Sequence, residues 1–275
     1  MAIVVRTNPA SIFSQHRLSR TSDQLGKTFQ RLASGARINS AADDAAGLAI
    51  STLLEHRIRG QAAAKHNAQE GISLVQTLEG GVEQIRSILD RMRELAVRAG
   101  NATLNNADRN ASNLEYTQLI AEVRRIAATT TFNNGATINA SLELTFQVGF
   151  VDSGDDRITA TVDFSMQASS LGISNSTISQ QGSAQGALAL ISTALSQVNQ
   201  YRSQLGAVQN RLERAISNLE ADIENATASN SRIRDVDFAE ETSRMTRLQI
   251  LTQSGTAVLG QANAAPQAAL ALLGG

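Results

Sequence analysis

Few residues in this chain could do chemistry, and none of them is arranged for it. Asp152, Asp155 and Asp156 are the nearest approach to a hard-cation loop. An EF-hand loop needs flanking helices and a closing Glu; neither surrounds Ser153-Gly154, so a solvated turn accounts for the cluster. The three histidines are His16, His56 and His66. None is read as half of a ligand pair one helical turn apart, so no metal is expected. Asp43-Asp44 stands where a helix is about to start, and the positive helix end explains it without catalysis. Ser, His and Asp all occur, but no nucleophile turn of the G-x-S-x-G kind does. With no cysteine there is no thiolate, disulfide or thiolate metal site. The chain therefore reads as no enzyme, with no cofactor. Arg86, Arg91, Arg93 and Arg98 give one helix a basic-leaning face, which by itself reads as solvated charge with local pairs.

The element that carries those arginines organises the chain. Between Gly71 and Gly100, Val75, Leu78, Val82, Ile85, Leu89, Met92, Ala96 and Ala99 follow one another in unbroken steps of three and four. That is a heptad seam, one apolar line along a helix. Leu74, Gly81, Ile88 and Leu95 make a second line beside it. Two adjoining lines predict apolar neighbours on two sides. The far face, with Glu83, Arg86, Asp90, Arg93, Glu94 and Arg98, is polar and of mixed sign.

Composition agrees with long helices. Hydrophobic residues make up 42%, but aromatics only 3%, with no Trp and two Pro among 275 residues. Few bulky anchors and few breakers suit thin bundles with close backbone approach. A net charge of -1 gives no electrostatic case for nucleic acid or an anionic membrane. No apolar run approaches the ~18 residues of a membrane span. The start, MAIVVRTNPAS, lacks the pattern of a cleavable signal, so export would use a route that cuts none.

Along the chain, Asn8-Pro9 opens a helix whose narrow seam is Leu18, Ser22, Leu25, Phe29 and Leu32, and Ser34-Gly35 stops it. Ser40 and Asp43 make an acidic capping box, with helix from about Ala41. Asn101 to Asn113 reads as a turn and cap, and Leu114, Ile120, Val123 and Ile126 mark a shorter antiparallel helix. Asn133-Asn134-Gly135 signals a turn. The period then becomes two: Leu142 to Phe150 and Ile158 to Met166 alternate around Asp152–Asp156, a hairpin. Ser169 to Gly186 reads as a linker. Leu188, Ile191, Leu195, Val198, Leu205, Leu212, Ile216, Leu219 and Ile223 form a further seam, interrupted at Arg202 and Gln209, with a break at Ala226 to Arg234. The last helix spans Asp237 to Ala262, and Pro266 ends it. The expected fold is mainly α: a long antiparallel helical bundle with a small central β-hairpin region and the two termini side by side.

Three stretches carry a resemblance. RLASGARINSAADDAAGLAIS, Arg31 to Ser51, resembles the N-terminal signature of bacterial flagellins. NAQEGISLVQTLEGGVEQIRSILDRMRELAV, Asn67 to Val97, resembles their next block. SRIRDVDFAEETSRMTRLQILTQSGTAVLGQANAAPQAALALL, Ser231 to Leu273, resembles their C-terminal block. Ala42 departs from a frequent Lys. The middle, roughly 131–186, is short, as in a form lacking the outer variable domains. The resemblance implies a structural subunit of the extracellular bacterial flagellar filament, exported without a cleaved signal and serving motility. It implies a terminal helical domain, 1–40 with 231–275, and a rod-like domain, 41–230, with the hairpin region at 131–186. It implies packing between subunits through Leu18, Leu25, Phe29, Leu32, Met245, Leu248, Leu251, Val258 and Leu259. The partners implied are further copies of the chain, the flagellar export apparatus, a flagellin chaperone, the filament cap and the hook–filament junction proteins. DRMRELAV, Asp90 to Val97, resembles the stretch sensed by the vertebrate Toll-like receptor for flagellin, through Arg91 and Leu95 with Glu115 on the adjoining helix. Two alternatives stand beside this reading: a flagellin-like hook–filament junction protein, and a cytoplasmic signalling coiled coil. The hairpin and the interrupted C-terminal register speak against the second.

Overall fold

The computed structural model describes residues 7–133, 136–138, 141–163 and 165–273, with side chains for all of these except 136–137, 141–142, 161–163 and 265–273. Part of the Asn133-Asn134-Gly135 turn, Phe164, and the side chains of Leu142 and Val162 therefore lie outside the described residues. Helices α1 (Pro9–Ser34), α2 (Ala45–Ala99) and α3 (Asn106–Thr129) come first. Strands β1 (Thr131–Phe132), β2 (Ala136–Thr137), β3 (Ser141–Gln147) and β4 (Arg157–Asp163) follow, then helices α4 (Gln181–Arg234) and α5 (Phe238–Leu273). The fold is mainly α with short antiparallel strand pairs, as expected. Two compact units form: Met1–His56 with Asn225–Gly275, and Arg57–Glu224.

In the second unit the α2 seam is the core. Val75, Leu78, Val82, Ile85, Leu89, Met92, Ala96 and Ala99 are all fully buried, and Leu74 and Leu95 of the second line are nearly so. Each large aliphatic side chain so buried contributes about 1.5–3 kcal/mol. α3 and α4 both run antiparallel to α2. Arg91 meets Glu115 and Gly81 meets Thr130 on the α3 side; Lys65 meets Glu220 and Gly71 meets Leu212 on the α4 side. The turn into α3 is fixed by Arg109, a buried cation. Its guanidinium donates to the carbonyls of Ala99 and Asn101, at 2.8 Å each, so it caps the end of α2. Tyr116 on α3 is fully buried, with its hydroxyl 2.8 Å from that of Ser176.

β3 and β4 pair from Ser141↔Asp163 to Gln147↔Arg157. Leu144, Ile158 and Ala160 supply the buried face. The alternation expected to run to Phe150 stops earlier. Residues 148–156 form the connection, Val148 donates to the carbonyl of Asp156, and Phe150 is exposed. It stacks near the guanidinium of Arg57, 5.7 Å from the ring centre.

Several expectations are corrected. Helix α2 starts at Ala45, and its cap is Asp44, which accepts from the amide of Gly47 at 2.9 Å. Asp43 instead closes a turn on the amide and hydroxyl of Ser40, with Arg31 nearby; these bonds, the Ser40 hydroxyl first, hold its carboxyl below the usual range. The stretch 169–186 is not a free linker. Leu171, Ile173, Ile178 and Ala184 are buried, and Asn113 accepts from the Ile178 amide and the Thr177 hydroxyl at 2.9 Å. Its apolar residues have no period, which is why it read as loose. α4 does not break at Ala226–Arg234: Ala226 is buried, Ser51 bonds Asn230 at 2.7 Å, and Arg234 pairs with Glu55. Nor is the α4 seam interrupted. Ala184, Ala187, Ile191, Ala194, Val198, Leu205, Val208 and Leu212 are buried, with Tyr201 packed against that core in the gap. Arg202 stands beside the seam and reaches back to Glu83 on α2 at 3.1 Å. The small residues take the close contacts, while Leu188 and Leu195 are half-buried. Leu114, expected in the α3 seam, is exposed.

Candidate functional site

Among the described residues no catalytic geometry comes together. Asp152 pairs with Arg157, and Ser153 caps the short helical turn that follows by accepting from the Asp155 amide. His66 does have a carboxylate one turn away, contrary to the reading above: Glu70 stands 3.5 Å from its Nδ1. Both side chains are exposed, and among the described residues no three His, Cys, Asp or Glu side chains gather as a metal would require. Among the same residues no helix is long and apolar enough to cross a membrane.

What the structure builds instead is a pair of helices with too much apolar surface. α1 begins where Asn8 accepts from the Ser11 amide at 3.1 Å and Pro9 takes the first helical position, which needs no donor. It ends at Gly35, whose φ of 70° is the left-handed conformation glycine accepts without strain. Beyond it a backbone clasp joins the two chain ends: Arg37 donates to the Arg234 carbonyl at 2.6 Å and Val236 to that of Gly35 at 3.0 Å. Asp237 then caps α5 by accepting from the amides of Ala239 and Glu240. α1 and α5 run antiparallel from this clasp. Leu18 touches the site of Gly255, and Ser11 donates to Asn263 at 2.6 Å.

The helices meet along Ser11, Leu18, Thr21, Leu25, Thr28 and Leu32 on one side. Glu241, Met245, Leu248, Thr252, Gly255 and Leu259 lie on the other; all twelve are buried or half-buried. Thr21 and Thr28 take the places expected of Ser22 and Phe29, which are exposed. Leu251 and Val258 also point outward, at 50% and 57% exposure, together with Ile12, Phe13, Phe238 and Ile250. Phe13, Leu18, Leu251 and Val258 line a groove of about 340 Å³, with Arg17 stacked 5.2 Å from the centre of the Phe13 ring. The outward residues Ile12, Phe13, Phe238 and Ile250 escaped the sequence reading. Their signal was the doublets Ile12-Phe13 and Ile250-Leu251: neighbours on a helix sit about 100° apart, so one seam cannot take both. Such a surface has no chemistry to offer; it can only bind other apolar surface.

The residues matched to receptor recognition divide. Arg91 is exposed and bridges Glu94 on its own helix and Glu115 on α3, at 2.9 and 2.8 Å. The two carboxylates, Glu94 first, raise its pKa. Leu95, on the second apolar line of α2, is 4% exposed and belongs to the core.

Comparison with known proteins agrees with the geometry. Residues 5–141 match the family described as bacterial flagellin N-terminal helical region, and residues 188–273 match the bacterial flagellin C-terminal helical region. A flagellin of Halalkalibacterium halodurans is 41% identical over 272 residues, covering 98% of this chain and 100% of that protein. Flagellin FlaB2 of Treponema pallidum is 36% identical over 288 residues, covering 98% and 100%. A solved structure of a putative flagellar hook-associated protein from Vibrio parahaemolyticus superposes with a TM-score of 0.58 over 70% of this chain and all of that one; at 12% identity it speaks for the fold alone. End-to-end identity to flagellins, and an unpartnered apolar pair made of the two chain ends, place this chain in the bacterial flagellin family, the structural subunits of the flagellar filament.

Proposed function

We propose that α1 and α5 are the polymerising surface of this flagellin, and that they divide their apolar residues between two tasks. Leu18, Leu25, Leu32, Met245, Leu248 and Leu259 hold α1 to α5. Phe29, Leu251 and Val258, with Phe13 and Ile250, are covered by neighbouring subunits. The single observation that carries this is the outward exposure of these side chains on both helices of the pair. Thin seams of Ser, Thr and Gly bury too little on their own to offset the ordering of two long helices, so assembly supplies what is missing. The terminal domain so defined is 1–40 with 231–275, and 41–230 is the rod-like helical domain with the hairpin region 131–186. The chain leaves the cell without a cleaved signal and meets the export apparatus, a chaperone, the cap and the hook–filament junction proteins. These partners follow from the family resemblance.

The test is polymerisation of Leu251→Asp and Val258→Asp. Each should abolish filaments while the melting temperature of residues 57–224 stays within a degree or so of wild type. Filaments at wild-type yield would overturn the proposal. Limited proteolysis adds an independent reading: 1–34 and 231–275 should be cut readily in dilute monomer and protected in filament.

The exposed Arg91–Glu115 pair supports a second reading, recognition by the vertebrate Toll-like receptor for flagellin. Monomer on receptor-bearing reporter cells should signal, and Arg91→Ala should weaken it with no change in helical spectrum. Leu95→Ala would act through core packing and lower the melting temperature as well. A signalling wild type that is indifferent to Arg91→Ala would end this reading.

A further inference from the structure

The far end of the α1/α5 pair holds a relationship that neither polymerisation nor the apolar seams require. α5 runs on through Pro266 to Leu273 rather than ending there. A proline inside a helix has no N–H, so the carbonyl four residues earlier loses its donor. That carbonyl belongs to Ala262. It accepts from the side-chain Nδ2 of Asn8 at 2.7 Å. Pro266 is the one proline in α5, so Ala262 offers the one interior carbonyl deprived of its helix partner in this way. The Asn8 amide fills that vacancy while its Oδ1 accepts from the Ser11 amide and caps α1. One turn on, the Ser11 hydroxyl donates to Asn263 at 2.6 Å.

We propose that Asn8 and Pro266 form a register latch: the proline frees one carbonyl, and the start of α1 takes it. Elsewhere the contact between the helices is made of apolar side chains, Leu18, Leu25, Leu32, Met245, Leu248 and Leu259, interspersed with the small Thr21, Thr28, Thr252 and Gly255. Apolar contacts of this kind are non-directional, so they set the spacing of the two helices more sharply than their register along the ~5.4 Å turn. The latch fixes that register, because every neighbouring carbonyl of α5 keeps its own donor. It also makes the two ends depend on each other. The last turns of α5 lose a backbone bond that only the N-terminal helix restores, so α5 is complete past Pro266 only when α1 lies beside it. Asn8 is a positioning residue in this scheme, acting through the backbone of α5.

A double-mutant cycle on full-chain filaments tests the latch. The variants are Asn8→Ala, Pro266→Ala and the two combined. The readouts are hydrogen exchange of the α5 amides on either side of residue 266 and the temperature at which filaments dissociate. Losing one backbone-directed bond should speed exchange in the Asn8→Ala protein roughly three- to tenfold and lower the dissociation temperature. Pro266→Ala gives Ala262 its helix donor back, so Asn8→Ala should add little in that background. Asn8→Asp keeps the acceptor that caps α1 and removes the donor; it should behave like Asn8→Ala, which separates the latch from the cap. Should Asn8→Ala prevent filaments altogether, their recovery in the double variant supports the latch and continued failure overturns it. Equal effects of Asn8→Ala in both backgrounds, or a wild-type response from Asn8→Asp, would also overturn it.

Discussion

Gly81 on α2 lies directly beneath Thr130 at the end of α3: a Cβ built on Gly81 would stand 2.7 Å from the threonine Oγ1 and 2.8 Å from its Cγ2. Gly80, one residue earlier, is exposed and would meet nothing within 4 Å. The same substitution should therefore have opposite signs at adjacent positions. Gly80→Ala should stabilise by about 0.5–1 kcal/mol, the propensity difference in a helix interior. Gly81→Ala gains the same propensity but overpacks the α2–α3 contact, and should destabilise by about 1–3 kcal/mol net. Thermal melts of the two proteins decide it, and two stabilising substitutions would show that Thr130 yields freely.

The seam makes a harsher prediction. Leu89 is fully buried in the middle of α2. Leu89→Asp places an unpaired carboxylate there and should cost several kcal/mol, with loss of helical signal and filament yield. Leu89→Ala should cost about 2–5 kcal/mol. An unchanged melting temperature in Leu89→Asp would mean that the seam is solvated.

Acid should loosen the contact between α2 and α4. Glu83 is held below its ordinary value of 4.5, first by the hydrogen bond from Arg86 and then by the charge of Arg202. Arg202 comes from α4, 3.1 Å away. A carboxylate whose folded pKa is depressed stabilises fully above its unfolded value and loses that contribution as pH falls through the folded one. Glu83→Gln should thus lower the melting temperature slightly at pH 7 in low salt, and the deficit should shrink as the pH falls below 4.5. The effect is small because both partners are more than a third exposed. A mutant deficit that does not shrink at all as acid is added would rule out the charge as its source.

Insertions should separate surface from core within the middle of the chain. Gly154 sits exposed at the β3–β4 connection with open space around it. A short insertion there should leave melting and polymerisation unchanged. The same insertion at Ser176 would break its bond to Tyr116 and displace Ile173 and Ile178, and should lower the melting temperature markedly. Equal tolerance at both sites would contradict the buried role of 171–178.

The contrast at Ser176 marks where the sequence was legible and where it was not. The α2 seam was readable residue by residue, because eight apolar side chains on a strict heptad leave one helical solution. The cap Asn8 and the stop at Gly35 were readable from local turn chemistry. Residues 171–178 were not: Leu171, Ile173 and Ile178 are buried without a period, by tertiary contacts to α3 that no local pattern announces. α4 hid its register behind alanines, since Ala184, Ala187 and Ala194 take positions that a hydrophobicity count assigns to Leu188 and Leu195. In the α1/α5 pair the outward apolar residues were partly readable, as Phe29, Leu251 and Val258, but assigned to one seam. Which face each takes depends on the partner helix. In the receptor-matched stretch the heptad puts Arg91 off the seam, and the structure has it half-exposed beside Glu115. Leu95, on the second apolar line, is buried in the core.

The burial of Tyr116 gives this protein an optical gauge of its own core. The chain has two tyrosines and no tryptophan, so its near-ultraviolet spectrum is almost entirely theirs. Burial raises the pKa of the Tyr116 phenol, partly offset by its bond to Ser176. In alkaline solution it therefore ionises at a higher pH than an exposed phenol, and parting of α3 from the 171–178 segment removes that difference. The absorbance at the red edge of the tyrosine band, titrated with base, then reports whether that contact is closed, in monomer and in filament alike, without any label.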